Sequence, residues 1–202
     1  QMWREAHINK TVEMLKKDLK NIRQKKPLLG AAVFRSEPYS RLTKMQHWRH
    51  WADNNWIDFA FPMLYTYDKN DLNLWLDWET NFGKRKDYLY PILGAHRFLS
   101  PEDIFGQIGL LHERLIPGVS IFSISHFKQS SLPDLERGSF RKPAMIPHKN
   151  LPASLGVLAD DMAKWFTNIA ESKDAPAKEE LLQLSQKWRN TSRYYRQFNG
   201  HY

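Results

Sequence analysis

Eight residues carry the side chains that could do chemistry here, and they fall in four short stretches. "RSEPY" (residues 35–39) holds Arg35 and Glu37, "YTYD" (65–68) holds Tyr65, Tyr67 and Asp68, "HR" is His96 with Arg97, and "SHFK" (125–128) holds His126. Carboxylates, a guanidinium, imidazoles and phenol rings together suit a sugar, whose apolar faces stack on aromatics while its hydroxyls take hydrogen bonds. Glu37 is the foremost candidate for a catalytic carboxylate, with Asp68 available as a second; the plainer reading of Glu37 is a solvated loop acid beside Arg35 or Arg41. Arg97 can hold a carboxylate or hydroxyl in a fork, and His96 or His126 can bond hydroxyls or carry a proton. Adjacent strand residues point oppositely, so one of His96 and Arg97 is expected to face the site. Tyr65 and Tyr67 are read as one facing the site and the other the helices. A metal held by His96, His126 and Glu37 is conceivable, but no close-spaced ligand motif supports it, so these residues are expected to be polar lining, with no cofactor.

All four stretches stand at the same topological place. Apolar residues at 8, 12, 15, 19 and 22 follow the spacing of one helical face. Pro27 stops that helix, and "LLGAAVF" (28–34) is an apolar run without alternation, as in a strand buried on both faces. Ser40 is the expected cap of a helix carrying Leu42, Met45, Trp48 and Trp51. A strand "WIDFAFPMLY" (56–65) follows. Asp71 then caps a helix with Leu72, Trp75, Trp78 and Phe82, before the strand "YLYPILGAHRF" (88–98). "SPED" (100–103) is the strongest helix start, with Ser at the N-cap, Pro next and acids in the first turn. Its helix runs to Pro117-Gly118, and "VSIFSISHF" (119–127) is the fourth strand. The tryptophans at helical spacing are expected in the core. Asp58, at the start of its strand, is expected to cap or pair with a neighbouring helix.

Helix and strand thus alternate four times with short connections, which demands an α/β fold of parallel strands with crossover helices. Each strand turns from apolar to polar and aromatic at its C-terminal end, where barrel enzymes place their sites. Neither GxGxxG nor GxxxxGK[ST] is present, so an open nucleotide-binding sheet is disfavoured. Four βα units make half of an eight-stranded barrel. Residues 1–127 are assigned to that half barrel, 128–153 to an irregular, proline-containing connection, and 154–202 to a C-terminal helical segment.

The chain has 202 residues, no cysteine and a net charge of +8. Disulfides and Cys-ligated metals are therefore excluded, and no apolar run is long enough to span a bilayer. The basic residues are spread out, their densest stretches at 16–26 and 187–196. The first reads as a solvated helix face. The second, "KWRNTSRYYRQF" (187–198), mixes Arg with aromatics as nucleic-acid-binding segments do. As a terminal helix that packs its rings and shows its arginines to water, it needs no ligand.

Several stretches resemble one family in order. "WIDFAFPMLY", "MWREAHINKTVEMLKKDLKNIRQKKPLLGAAVF", "HWRHWADNNWID" and "LERGSFRKPAMIP" are similar to motifs of the glycosyl-hydrolase-like family 10 barrels. The resemblance covers about residues 2–147. It implies the C-terminal half of a (β/α)8 barrel and hydrolysis of glycosidic bonds in bacterial cell-wall glycan, hence a cell-envelope, periplasmic or extracellular setting. It also implies an upstream N-terminal half with an acidic strand end that has no counterpart here. Glycosidases use two carboxyl groups ~5–9.5 Å apart; Glu37 would be one, and Asp68 or the missing half would give the other. The expected partners are a polysaccharide or peptidoglycan-type glycan, and a missing half, another copy or another subunit that completes the barrel. Two further readings stand beside this: a non-catalytic scaffold or glycan-binding subunit, and a nucleic-acid-associated protein whose binding would fall steeply with salt.

Overall fold

The computed structural model describes residues 2–22, 27–81, 87–97, 100–126, 132–141, 151–172, 175 and 177–197. Contacts divide the chain into two units, residues 1–141 and 142–202.

The first unit is an α/β layer. Helix α1 (Met2–Lys20) leads to β1 (Gly30–Phe34), α2 (Glu37–Lys44), α3 (Trp48–Asp53), β2 (Phe59–Met63) and α4 (Lys69–Asn81). Strand β3 (Ile92–Gly94), α5 (Pro101–Glu113), β4 (Ser120–Phe122) and the short α6 (Leu132–Arg137) complete it. The four strands form one parallel sheet in the order β1-β2-β3-β4. Sequential order with crossover helices puts every helix on the same face when each connection is right-handed.

The residue pattern agrees. Register aligns Val33 with Pro62 and Leu93 with Ile121, and these face the helices. There Val33, Ala60, Leu64 and Leu93 share a core with Trp48, Leu72, Leu76, Ile104, Ile108 and Leu111. Each fully buried Leu or Ile in this set contributes about 1.5–3 kcal/mol of hydrophobic stabilisation. The opposite face carries Ala32, Phe34, Phe59, Phe61, Tyr90 and Phe122. It is less covered, with Phe34 38% and Phe122 54% exposed and Lys44 of α2 reaching over the Phe34 ring. The rings on that face gather among themselves, with Phe59 edge-on to Tyr90 at 5.3 Å.

Several boundaries differ from the expectations. The helix expected to be capped by Ser40 is two helices, because Met45 takes a left-handed conformation (φ 58°) that ends α2. Ser36 stands at the N-cap position of α2; Ser40 lies buried inside it, where its hydroxyl donates to the Glu37 and Gln46 carbonyls. Asp68, rather than Asp71, caps α4: the Asn70 N–H donates to its Oδ1 at 2.7 Å. The capping box at Ser100 and Asp103 is as expected. Asp58 also behaves as read, accepting from Lys16 Nζ at 2.5 Å and from the Leu29 N–H at 2.7 Å. Trp48 and Trp51 are core, but Trp78 is 41% exposed. Phe82 and residues 127 and 128 lie outside the described residues. Within the stretch 128–153, α6 is a regular turn of helix.

The second unit pairs α7 (Leu151–Ala170) with α8 (Lys178–Arg196). The buried positions of α7 are small, namely Ala153, Gly156, Ala159, Ala163 and Ala170, and those of α8 are Ser185 and Ser192. Small residues let the two backbones approach closely, so that Ser185 Oγ reaches both the Ala163 carbonyl and Thr167 Oγ1 at 2.8 Å. No described helix is long and apolar enough to cross a membrane.

Candidate functional site at the strand ends

Seven of the eight candidate residues separate into two groups. The first gathers past β2, β3 and β4. Tyr65 continues the open-face parity of β2, and its ring meets His96 edge-on at 5.4 Å and stacks near Phe122 at 6.2 Å. His96 and His126 are 5.7 Å apart. The Arg97 guanidinium lies over the Tyr67 ring at 4.6 Å. Ser123 Oγ sits 2.9 Å from His126 Nδ1 and 2.7 Å from Ser125 Oγ. The outcome is a surface of aromatic faces edged by two imidazoles, two hydroxyls and a guanidinium. Burial raises the affinity of the Tyr65 hydroxyl for its proton, so this phenol remains a hydrogen-bond donor.

Two orientation rules applied to these residues fail for a local reason. His96 and Arg97 belong to a 3₁₀ turn, Ala95–Arg97, rather than to a strand, so they do not alternate and both join the group. Tyr65 and Tyr67 lie beyond the end of β2, where strand alternation no longer applies, and Tyr65 meets His96 while Tyr67 lies under Arg97. Thr66 between them turns inward, where its carbonyl accepts from Gln107 Nε2 at 3.1 Å. His126 likewise lies in a 3₁₀ turn, Ile124–His126.

Gly94 makes the convergence of Tyr65, His96 and Arg97 feasible. A Cβ there would lie 2.9 Å from His96 Cε1, 3.1 Å from Tyr65 Cδ1 and 3.2 Å from Arg97 Cγ. Gly94→Ala is therefore expected to displace these side chains at a cost of about 1–3 kcal/mol in stability. Thermal unfolding measures that cost, and an unchanged midpoint would show that the cluster is looser than drawn.

The second group surrounds the end of β1. Glu37 opens α2 and is 8% exposed. Its Oε1 is 3.3 Å from His47 Nε2, while His47 Nδ1 is 3.1 Å from Glu5, which also accepts from Arg41 at 3.0 Å. Burial raises the Glu37 carboxyl above its ordinary pKa, opposed by Arg49 and Arg41. Burial and then Arg41 lower that of His47, whose hydrogen bond goes to Glu5; Glu37 Oε1, 3.3 Å from His47 Nε2, is buried and accepts no hydrogen bond among the described residues. Arg35 turns to the helices, its guanidinium 3.9 Å over the Trp75 ring. Asp68 is held in its cap.

Sequence reading missed Glu79. It lies on α4 at the fourth step of the buried stripe 72, 75/76, 79, an acid where the periodicity asks for an apolar residue. That mismatch is the signal by which it could have been found. Its side chain is fully buried, accepts from the Ser36 N–H at 2.5 Å and lies 3.6 Å from Arg49. Burial pushes its pKa up to about 7, against the pull of the Ser36 N–H and Arg49. Ser36 itself has φ 54°, an unusual conformation for a non-glycine residue that Glu79 holds in place. Ser123 and Phe122 were also missed, because the turn that presents them is invisible to periodicity.

Among the described residues no group of three or more His, Cys, Asp or Glu side chains is arranged to hold a metal ion. Compared with known proteins, the chain matches no family model, no curated protein and no solved structure.

Proposed function

We propose that this chain is a glycoside-hydrolase-like unit that takes a polysaccharide of the cell-wall kind at the C-terminal ends of β2, β3 and β4. The observation that carries the reading is the convergence of Tyr65, His96, Arg97, Phe122 and His126 there. Aromatic faces beside polar edges match the two-sided chemistry of a pyranose. The resemblance of residues 2–147 to glycosyl-hydrolase-like family 10 barrels supports the same class and a cell-envelope setting. We read the sheet as the C-terminal half of a (β/α)8 barrel, since sequential parallel strands with one less covered apolar face are what closure would complete. The completing strands would come from an N-terminal half, another copy or another subunit.

Hydrolysis would use Glu37 as one carboxyl group, its raised pKa suited to a general acid, with the second from Asp68 or the completing strands. A non-catalytic, glycan-binding role is the second reading, and the commitment of Asp68 to a helix cap favours it.

The test is calorimetric titration of the intact protein with peptidoglycan fragments, alongside reducing-sugar release. Tyr65→Ala is expected to weaken binding by about 10-fold, in line with one lost stacking contact. Glu37→Gln should abolish sugar release and spare binding if the protein is catalytic. Absence of both binding and release would remove the proposal.

A further inference from the structure

The basic C-terminal stretch has a placement that the glycan reading does not use. Between α7 and α8 runs a groove of about 480 Å³, floored by Ala163 and Ser192 and walled by Lys164, Arg189, Arg193 and Arg196. The one carboxylate among its described lining residues is Asp160, which Arg196 engages. Four cations against one acid leave three positive charges along a single channel. An ordinary solvated helix face intersperses acids one turn from its bases; here no acidic residue follows Glu180 in the sequence.

We propose that this groove binds the phosphodiester backbone of a single-stranded nucleic acid. Arg189, Arg193 and Arg196 fall four and three residues apart, so their α-carbons rise by about 6 and 4.5 Å along one side of α8. Guanidinium groups at such intervals offer forked donors to successive phosphates. Two of the arginines are held in advance. Arg189 Nη2 donates to Thr167 Oγ1 at 3.2 Å, and that hydroxyl is in turn fixed by the Ala163 carbonyl and Ser185. Arg196 is fixed by Asp160 and by Ser192 Oγ at 3.3 Å. Preorganisation lowers the ordering cost of binding. Arg193 has no acidic partner among the described residues, and Lys164 has an exposed contact with Asp161 at 3.7 Å and a weaker pull on Asp160. Among the described residues no aromatic side chain lines the groove, so the recognition they offer is through charge and not through base stacking.

The intact protein is titrated against a fluorescein-labelled twelve-nucleotide oligothymidylate by anisotropy. With three charges engaged, affinity is expected to fall about 20-fold between 50 and 200 mM salt. Arg193→Glu on α8 and Lys164→Glu on α7 each replace a cation with an anion and so lower the net charge of the groove by two, and each should cut that loss to about 3-fold. Both side chains lie at the surface and either variant alone serves, with circular dichroism reporting that the helices persist. Lys10→Gln on α1 should change nothing. The proposal is overturned by the absence of binding at 50 mM salt, by an unchanged salt slope in whichever variant remains folded, or by binding of inorganic polyphosphate without binding of the oligonucleotide.

Discussion

Arg49→Ala is expected to destabilise the protein by about 3–5 kcal/mol at pH 8, and by much less at pH 5. Arg49 pulls the Glu79 pKa down, so without it the fully buried carboxyl must either hold an uncompensated charge or take up a proton at the higher pH, and either is the costly way to break a buried pair. At pH 5 the carboxyl keeps its proton in the folded state, so no buried charge is stranded when the bond from Arg49 to the Trp78 carbonyl, its contact with the Trp48 ring and its pull on Glu37 are lost. The wild-type protein should show the same linkage. The folded pKa of Glu79, about 7, exceeds the ordinary 4.5, so the folded state binds this proton more tightly than the unfolded chain does. Stability from this group is fully present below pH 4.5 and is lost as pH rises through 7, by about 3 kcal/mol at most. Glu37, raised in the same direction, adds to the slope. Denaturant unfolding across pH 4 to 8 measures it. Glu79→Gln should flatten the profile, and a Gln variant with the wild-type slope would move the linkage to some other group.

A preparation of residues 1–202 alone is expected to self-associate and to bind a hydrophobic dye. Among the described residues no strand pairs with the outer edge of β1 or β4, and one face of the sheet shows Phe34 and Phe122 to solvent. Unpaired strand edges and contiguous apolar surface are what association covers. Phe61→Asp introduces a charge on that face without entering the helix-packed core, so it should weaken association by an order of magnitude or more while circular dichroism stays unchanged. Sedimentation velocity distinguishes the outcomes. A monodisperse monomer that unfolds cooperatively and ignores the dye would defeat the half-barrel reading, and with it the catalytic role proposed for Glu37.

The order of elements in the first unit is legible in the sequence because each piece is punctuated locally. The Ser100 capping box acts over a few residues through backbone geometry and needs no distant partner to be read, whereas α1 ends at Lys20, ahead of Pro27, and α5 at Glu113, ahead of Pro117-Gly118. The apolar strands and their polar ends are equally local, and they predicted a parallel sheet with polar groups collected at one end. Charge and the absence of cysteine were settled by composition alone.

What the tertiary structure decided is where each polar side chain turns. Glu37 and Arg35 stand just past β1 as expected, yet both are drawn into the helix layer, one by His47 and the other by the ring of Trp75. His96, Arg97 and His126 sit on 3₁₀ turns, which have no period-two alternation to project from sequence. Glu79 became a partner of Ser36, 43 residues away, through a packing of α4 that no local rule contains. The arginines of α8 share a channel with Lys164 only because small residues on α7 bring the two helices close. Local sequence fixes dihedral preferences and the face of each element; which charges meet across elements depends on long-range packing, where desolvation and a few ångströms of approach decide whether an acid is a cap, a buried pair or a free catalytic group.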